Sequence, residues 1–216
     1  MALVGTPVYP SPVQIFLVRH GQTESNRLGL ALGRADVPLN EHGRWQAQRL
    51  GEALVGERLA AVYSSPLQRT WETAQAIAAA QGLEVTPEPR LIEMDIGQLD
   101  GLTFAEIRVR FPGLLEAWVS GPGPGVTMPG GERLIDVQER ALDAVRELGE
   151  RHPHESVCAV SHNFVILCLL TAALGIDLAD FRRVRQSVGA ISVLDVRQQR
   201  MRMLRLNDVC HLEVPG

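Results

Sequence analysis

The fold is decided by the stretch VQIFLVRHGQTESN, which occupies residues 13–26. Its first part, Val13 to Val18, is a short apolar run that is typical of a strand buried on both faces of a parallel sheet. The run stops at Arg19-His20-Gly21, where polar residues and a glycine replace it. The stretch therefore predicts a central strand that leads directly into a polar loop.

A second unit of the same kind begins with the apolar run from Leu59 to Tyr63. Ser64-Ser65-Pro66 follows it, and Ser65 is suited to cap a helix whose first position is Pro66. The helix is predicted to continue to about residue 80. Arg69 then lies in its first turn.

A third unit consists of a run from Ser156 to Val160, the motif Ser161-His162-Asn163 and an apolar helix that ends near Gly175. In an open parallel sheet, ligands bind beyond the carboxyl ends of the strands. The side chains expected to converge at that edge are Arg19, His20, Arg69 and His162. Helix N-termini at the second and third junctions favour an anion, and a phosphoryl group fits the arrangement.

The remaining patterns complete the sheet and cover it. Residues 41–55 and 132–151 have helical spacing, and residues 191–196 and 201–206 are typical of a closing hairpin. We expect one α/β domain over residues 1–216, with residues 1–12 as an N-terminal extension. The expected architecture is a three-layer α/β/α sandwich with a mostly parallel sheet and an antiparallel edge.

The longest irregular stretch runs from residue 90 to residue 131 and includes the glycine- and proline-rich segment 121–131. A lid-like insertion that walls a substrate pocket is one interpretation, and a mobile surface loop is an equal alternative. Within the stretch, Phe104 and Trp118 are the weaker candidates for contact with a substrate.

Composition excludes several classes of function. The formal net charge is −4, so the broad basic face that nucleic acid requires is not expected. All 21 basic residues are arginines, which excludes Schiff-base chemistry and a phosphate-binding lysine. Anions must then be bound by arginine, histidine or backbone N–H groups.

The cysteines, the N-terminal residues and the longest apolar run together predict the cellular location. The three cysteines have no metal-type spacing and are expected to be reduced and mostly buried. The N-terminal residues do not resemble a signal peptide, and the longest apolar run is too short to span a bilayer. A cytoplasmic protein without a membrane partner is expected.

Six motifs closely resemble those of the histidine phosphatase superfamily, which includes the cofactor-dependent phosphoglycerate mutases. In chain order they are RHGQTESN at 19–26, GRADVPL at 33–39, SSPLQRT at 64–70, LIE at 91–93, PGGE at 129–132 and SH at 161–162. Together they span residues 13 to about 175 in the family's order. The resemblance implies the phosphoglycerate mutase-like fold and a phosphate ester as substrate.

The resemblance also implies roles for individual residues. His20 is the implied nucleophile, with a neutral imidazole whose other nitrogen donates to a backbone carbonyl. Arg19, Arg69 and His162 are implied to hold the phosphoryl oxygens. Glu93 is the implied general acid and base, a role that needs a raised pKa. Further contacts with phosphate or substrate are assigned to Gln22, Asn26, Gly33 and Asn163, and neither a metal nor a cofactor is implied.

Two positions depart from the family pattern. Asn163 stands where the family often has glycine, so a side chain enters the pocket there and can alter the substrate. Gln22 stands where many relatives have glutamate, a common variation.

The sequence leaves three functions open. Mutases of the family typically carry an arginine-histidine-tyrosine run after the acid glutamate, whereas this chain has Met94-Asp95-Ile96-Gly97. That difference favours a phosphatase over a mutase. Retention of both histidines, both arginines and the glutamate argues against a third alternative, a non-catalytic protein that binds phosphate esters. The substrate and the choice between monomer and homodimer stay open.

Other polar clusters have simpler interpretations. His152 and His154 flank Pro153, and a solvated loop is preferred there over a metal-binding pair. Arg182, Arg183 and Arg185 are interpreted as a charged surface turn rather than as a guide for an anionic substrate.

Overall fold

Six strands form one sheet in the order β3-β2-β4-β1-β5-β6 in the computed structural model, which describes residues 13–120, 123–197 and 200–213. The strands are Val13–Arg19 (β1), Ala61–Ser64 (β2), Val85–Pro87 (β3), Ser156–Ser161 (β4), Ile191–Arg197 (β5) and Arg200–Asp208 (β6). Strands β1 to β4 are parallel, and β5 runs antiparallel to both of its neighbours. The expected mostly parallel sheet with an antiparallel edge is confirmed.

Helices cover both faces of this sheet. They are Glu24–Leu28 (α1), Glu41–Leu54 (α2), Gln68–Gln81 (α3), Phe104–Arg110 (α4), Leu114–Ser120 (α5), Leu134–Arg151 (α6) and Asn163–Leu174 (α7). Successive residues of a strand point to opposite faces. Accordingly, Ile15 and Leu17 of β1 pack with α6 and α7, whereas Phe16 and Val18 pack with α2 and α3. The three-layer α/β/α architecture is therefore also confirmed.

Local sequence signals explain several helix boundaries. The side chain of Asn40 caps α2 by accepting the N–H of Gly43 at 2.8 Å. Helix α7 ends, as predicted, at Gly175, which adopts the left-handed conformation with φ of 66°. Helix α7 is buried over most of its length, which explains its uniformly apolar sequence.

Two details of the sequence-based prediction are wrong. Helix α3 begins at Gln68 rather than at Pro66, because the backbone of Leu67 is still extended. The Ser65 hydroxyl forms a hydrogen bond with His162, and no side chain caps the helix. Strand β3 was not predicted, since its three residues are too few to form a recognisable apolar run.

The stretch from residue 90 to residue 131 contains two short helices, α4 and α5, rather than continuous loop. Helix α4 begins with a capping box in which Thr103 and Glu106 exchange hydrogen bonds. Ile107 of α4 and Trp118 of α5 are buried and join the core on the α6–α7 side of the sheet. Residues 121 and 122 of the predicted lid, like the N-terminal residues 1–12, lie outside the described residues.

The cysteines are arranged largely as expected. Cys158 and Cys168 are buried, and Cys210 is exposed. Among the described residues, no helix combines the length and apolarity that a membrane span requires.

Candidate active site

The carboxyl ends of β1, β2 and β4 lie side by side. Arg19 at the end of β1 pairs with Ser161 at the end of β4, and Ser64 of β2 pairs with Val160. The three polar motifs that follow these strands are therefore brought to one edge of the sheet. We call Arg19, His20, Arg69 and His162 the strand-edge cluster.

His20 is held in one protonation state by its own loop. Its Nδ1 lies 2.7 Å from the Gly21 carbonyl oxygen, and because a carbonyl can only accept, Nδ1 carries the proton. Burial lowers the pKa of His20 well below its usual value, and the charges of Arg69 and Arg19 lower it further. The imidazole is therefore neutral at pH 7, with the lone pair on Nε2.

His162 lies beside His20, with ring centroids 5.2 Å apart in an edge-to-face arrangement. It is fully buried at the N-cap of α7, and its Nε2 is 2.7 Å from the Ser65 hydroxyl. Burial lowers the pKa of His162 well below its usual value, and neighbouring Arg69 adds to the effect. Ser65, predicted only as a helix cap, thus orients the second histidine.

Arg69 is fully buried and fixed by backbone carbonyls. Its Nη1 and Nη2 donate to Ala35 at 2.8 Å and to Gly33 at 2.7 Å. Gly33 is required at this point because a Cβ there would lie 2.6 Å from the Ile96 side chain. The contribution of Gly33 is therefore to hold the arginine through its carbonyl oxygen.

Arg19 is held by the first residue of α7 and by the backbone that precedes β5. Its Nη1 donates to Asn163 Oδ1 at 3.0 Å and to the Gln186 carbonyl at 2.5 Å. Burial lowers the pKa of Arg19 to about 10, so the guanidinium still carries its charge at neutral pH. Asn163, the departure from the family pattern, thus positions this arginine.

Unpartnered buried atoms concentrate at this edge. Among the described residues, five buried side-chain nitrogen or oxygen atoms have no hydrogen-bond partner, and three belong to the strand-edge cluster: Arg19 Nε, Arg69 Nε and His162 Nδ1. Native proteins leave very few such atoms unpaired. Their concentration beside two guanidinium groups indicates a binding site for an oxyanion.

Glu93 is the carboxylate nearest to this cluster in the pocket lining. It is 3% exposed, and its two oxygens accept the N–H groups of Met94 at 2.8 Å and Phe164 at 3.3 Å. Burial raises the pKa of Glu93, and these hydrogen bonds and the arginines oppose the increase only in part. A buried carboxyl with a raised pKa is suited to hold and transfer a proton.

A polar network missed by the sequence analysis fixes the backbone of Glu93. Its carbonyl oxygen accepts from Arg34 Nε and Arg140 Nη2, each at 3.2 Å. Glu132 Oε1 in turn accepts from Arg34 at 3.2 Å, Arg140 at 2.9 Å and the Asp95 N–H at 2.8 Å. One signal was present: Arg140 lies on α6 beside the buried Val137 and Ala144, where an unpaired arginine is unfavourable.

Two further predicted contacts fare differently. Asn26 lines the pocket, with its Oδ1 occupied by the N–H and hydroxyl of Thr23. Gln22 does not line it, because its side-chain oxygen accepts from Asn40 Nδ2 at 2.9 Å and its backbone N–H donates to Gln46. Gln22 lies outside the described pocket lining, as do Arg69, His162 and Gly33, and its expected contact with phosphate or substrate stays a prediction.

The pocket is a cavity of about 290 Å³. Its lining comprises Arg19, His20, Asn26, Leu30, Ala31, Leu32, Glu93, Met94, Ile96, Leu99, Phe104, Ile107, Leu114, Leu115, Trp118, Met128, Asn163 and Phe164. Phe104 and Trp118, the weaker candidates, both belong to it. The stretch from residue 90 to residue 131 thus supplies a pocket wall.

Of the other candidate histidines and arginines, His152 and Arg182 have structural partners. His152 binds the Tyr63 hydroxyl and the Glu155 carboxylate, each at 2.8 Å, while His154 is exposed. The guanidinium of Arg182 stacks over Phe181, 4.4 Å from the ring centroid, and donates to the Trp118 carbonyl at 3.2 Å. Neither group reaches the pocket lining.

Comparison with known proteins places this geometry in a family. The family model of the histidine phosphatase superfamily (branch 1) matches residues 15–209. Phosphoserine phosphatase 1 of Hydrogenobacter thermophilus is 38% identical over 200 residues, which cover 93% of this chain and 94% of that protein. Phosphoglycerate mutase-like protein 4 of Arabidopsis thaliana is 35% identical over 205 residues, covering 94% and 88%.

A solved structure agrees with both relatives. A mycobacterial glucosyl-3-phosphoglycerate phosphatase, described as a complex with VO3, superposes with a TM-score of 0.83 at 30% identity and covers 91% of this chain and 99% of its own. The enzyme class expected from the sequence is confirmed, and the chain belongs to the histidine phosphatase superfamily, branch 1.

Proposed function

We propose that the protein is a metal-independent phosphatase that hydrolyses small phosphate monoesters through a phosphohistidine on His20. The observation that carries the proposal is the hydrogen bond from His20 Nδ1–H to the Gly21 carbonyl, which leaves the Nε2 lone pair available for attack. The unpartnered nitrogens of Arg19, Arg69 and His162 beside it support binding of the phosphoryl oxygens.

The first half-reaction transfers the phosphoryl group to the enzyme. Nε2 of His20 attacks phosphorus while the bond from phosphorus to the ester oxygen breaks. The Glu93 carboxyl gives its proton to that oxygen, so the alcohol leaves as a neutral molecule. Since phosphoryl transfer has a loose transition state, the fixed charges of Arg19 and Arg69 supply much of the stabilisation.

The second half-reaction returns the enzyme to its starting state. The Glu93 carboxylate takes a proton from water as the water oxygen attacks phosphorus. The bond from phosphorus to Nε2 breaks, inorganic phosphate is formed, and His20 regains its lone pair. The raised pKa of Glu93 supports both roles, because the group must gain and lose a proton near neutral pH.

Relatives support the phosphatase reaction. Two of the compared proteins are named as phosphatases of phosphoserine and of glucosyl-3-phosphoglycerate, and one neighbour is described with VO3. Vanadate forms five-coordinate adducts that resemble a transferring phosphoryl group, and such analogues bind tightly. We therefore expect vanadate to inhibit this protein.

Trapping the intermediate tests the proposal directly. The protein is mixed with labelled phosphate ester and quenched during turnover, and the label should remain on the protein in base and be lost in acid, as a phosphohistidine requires. Label that is stable in acid and lost in base would assign the nucleophile to another type of residue.

Metal independence has a separate test. EDTA should leave turnover of p-nitrophenyl phosphate unchanged, because arginines and helix N-termini carry the countercharge. Loss of turnover in EDTA that a divalent cation restores would contradict this part of the mechanism.

A second candidate is a cofactor-dependent phosphoglycerate mutase, which the name of the Arabidopsis relative favours. The segment after Glu93 opposes it, because Met94 is fully buried and Met94-Asp95-Ile96-Gly97 offers no cation to retain a bisphosphate. Interconversion of 3- and 2-phosphoglycerate that exceeds hydrolysis, with stimulation by 2,3-bisphosphoglycerate, would establish the mutase instead. Binding of phosphate esters without turnover would identify a non-catalytic protein.

A further inference from the structure

The described pocket lining is mostly apolar. Of its 18 lining residues, only five are polar, namely Arg19, His20, Asn26, Glu93 and Asn163. Arg19 and His20 belong to the strand-edge cluster, and Asn163 accepts a hydrogen bond from Arg19. The other 13 lining residues are aliphatic, aromatic or methionine.

We call the part of this lining that comes from the 90–131 stretch the apolar wall. Beyond Glu93 itself it consists of Met94, Ile96, Leu99, Phe104, Ile107, Leu114, Leu115, Trp118 and Met128. Most of these side chains are buried, and Trp118 contacts Phe164 edge to face and Phe181 in a tilted arrangement, at centroid distances of 6.1 and 5.6 Å. The wall is therefore a packed surface.

The side-chain oxygens of the polar lining residues already have partners. Asn163 Oδ1 accepts from Arg19, Asn26 Oδ1 accepts from Thr23, and both oxygens of Glu93 accept backbone N–H groups. Arg182 stacks over Phe181 and donates to the Trp118 carbonyl, and it does not line the pocket. Within the described lining, the apolar wall thus offers no charged partner to the alcohol part of an ester.

A charged alcohol would lose free energy at this wall. The carboxylate and ammonium of phosphoserine, or the carboxylate of 3-phosphoglycerate, would leave water without a compensating partner, and such desolvation is costly. An alkyl or aryl group instead gains from leaving water, at about 25 cal/mol for each Å² of apolar surface buried.

From the apolar character of this wall we infer that the substrates are phosphate monoesters of uncharged, apolar alcohols, either alkyl or aryl. The inference rests on the proposed phosphatase function and adds the substrate class. It separates this chain from its relative named phosphoserine phosphatase 1, although the two share 38% identity. The strand-edge cluster binds the phosphoryl group, and the apolar wall selects the alcohol.

A homologous series of alkyl phosphates tests the inference on the wild-type protein. Ethyl, butyl, hexyl and octyl phosphate differ only in apolar length, so their leaving-group chemistry is nearly constant. We expect kcat/KM to rise about fourfold for each added methylene until the cavity is filled, from about 0.8 kcal/mol per buried methylene. Phosphoserine and 3-phosphoglycerate should react at least tenfold more slowly than hexyl phosphate.

A matched pair of variants in α5 tests the wall itself. Leu115 lines the pocket, whereas Val119 in the same helix is 58% exposed and does not. Leu115→Arg should lower kcat/KM for hexyl phosphate at least tenfold and raise it for 3-phosphoglycerate. Val119→Arg adds the same charge outside the pocket and should change neither value by more than twofold.

The outcomes separate the two proposals. A flat alkyl series, or faster turnover of phosphoserine than of hexyl phosphate, overturns the inference about substrate class while leaving the phosphatase intact. Absence of turnover with every ester, p-nitrophenyl phosphate included, overturns the proposed function and the inference with it. Should Leu115→Arg not fold, as a thermal melt would reveal, the alkyl series decides alone.

Discussion

Arg19 and His20 of the strand-edge cluster line the same cavity as the apolar wall, but the two regions come from different kinds of structure. Arg69 and His162 are fully buried and are held at the ends of a parallel sheet by backbone carbonyls and a serine hydroxyl. The wall comes from two seven-residue helices and their connections, and its Phe104 is 59% exposed. On the proposed mechanism, we expect the chemistry to depend on the sheet together with Glu93, and the choice of alcohol to depend on the apolar wall. Changes in the cluster should affect every ester, and changes in the wall only some.

The largest effect is expected for His20→Ala. Without Nε2 no phosphohistidine can form, so turnover should fall by at least about 10⁴-fold, as for other nucleophiles that act within a unit. The loss should be equal for hexyl phosphate and p-nitrophenyl phosphate in steady-state assays. Unequal loss would show that the cluster also selects among substrates, contrary to the division of roles between the cluster and the wall.

Glu93→Gln should show a graded effect that depends on the leaving group. An alkoxide needs a proton to leave, so hexyl phosphate should react about 10²–10⁴-fold more slowly. p-Nitrophenolate leaves without one, so the phosphorylation step with that ester should slow much less. Single-turnover measurements isolate this step, and equal losses for both esters would assign the proton to another group.

The sequence allowed the cluster to be predicted because its residues follow buried strands. A buried parallel strand can be recognised in the sequence as a short apolar run. The sheet then brings the ends of β1, β2 and β4 together, whatever the structure of the chain between them. The sequence therefore predicts that His20, Arg69 and His162 lie close together. The start of α3 was misplaced because Ser65 had a tertiary partner, His162, that local sequence does not reveal.

The wall and the support of Glu93 were less predictable for the opposite reason. Helices α4 and α5 are short and depend on tertiary packing of Ile107 and Trp118 more than on local signals. The ion pair between Glu132 and Arg140 is part of the network that supports Glu93, and the spacing of these two residues in the sequence does not predict it. Gln22 is expected near the phosphate from its place in the motif, but its side-chain oxygen accepts from Asn40, a tertiary contact that local sequence does not reveal.

Glu132→Gln sharpens the boundary between the two regions. The substitution removes the charge that Arg34 and Arg140 share while both also hold the Glu93 carbonyl, so Glu93 should shift slightly. We expect kcat for hexyl phosphate to fall about tenfold with KM nearly unchanged, since small misplacements are costly.

The loss in Glu132→Gln should be smaller with p-nitrophenyl phosphate, which needs no acid. Glu139→Gln, in the exposed face of α6, removes an equal charge and is the control. If the two substitutions have equal effects on kcat, the loss in Glu132→Gln comes from the change in net charge and not from a shift of Glu93.

Burial of His162 should also affect how the free energy of unfolding depends on pH. The folded-state pKa of His162 lies well below its usual value, so its contribution is fully present above about pH 6.5. As pH falls below that value, the unfolded chain takes up a proton that the folded chain does not bind. Stability should decrease by up to about 1.4 kcal/mol per pH unit for this group.

Urea unfolding between about pH 7 and pH 5 measures the slope. His162→Gln should reduce it, and the opposite contribution of Glu93, whose pKa is raised, is present in both proteins and largely cancels in the difference. His42→Gln alters an exposed histidine and controls for the substitution itself. An unchanged slope in His162→Gln would show that its burial is not retained in solution.

The smallest effect is expected at the mouth of the wall. Phe104 lines the pocket but keeps more than half of its surface in water, so only part of its ring can gain from contact with a substrate. Phe104→Ala should lower kcat/KM for hexyl phosphate about threefold and leave ethyl phosphate unaffected, because only the longer chain reaches the ring. Val109→Ala, at an 82% exposed position of α4 outside the pocket, should change neither ester. If Phe104→Ala slows both esters alike, the wall acts on the chemistry as well as on the choice of alcohol, and the division between the two regions fails.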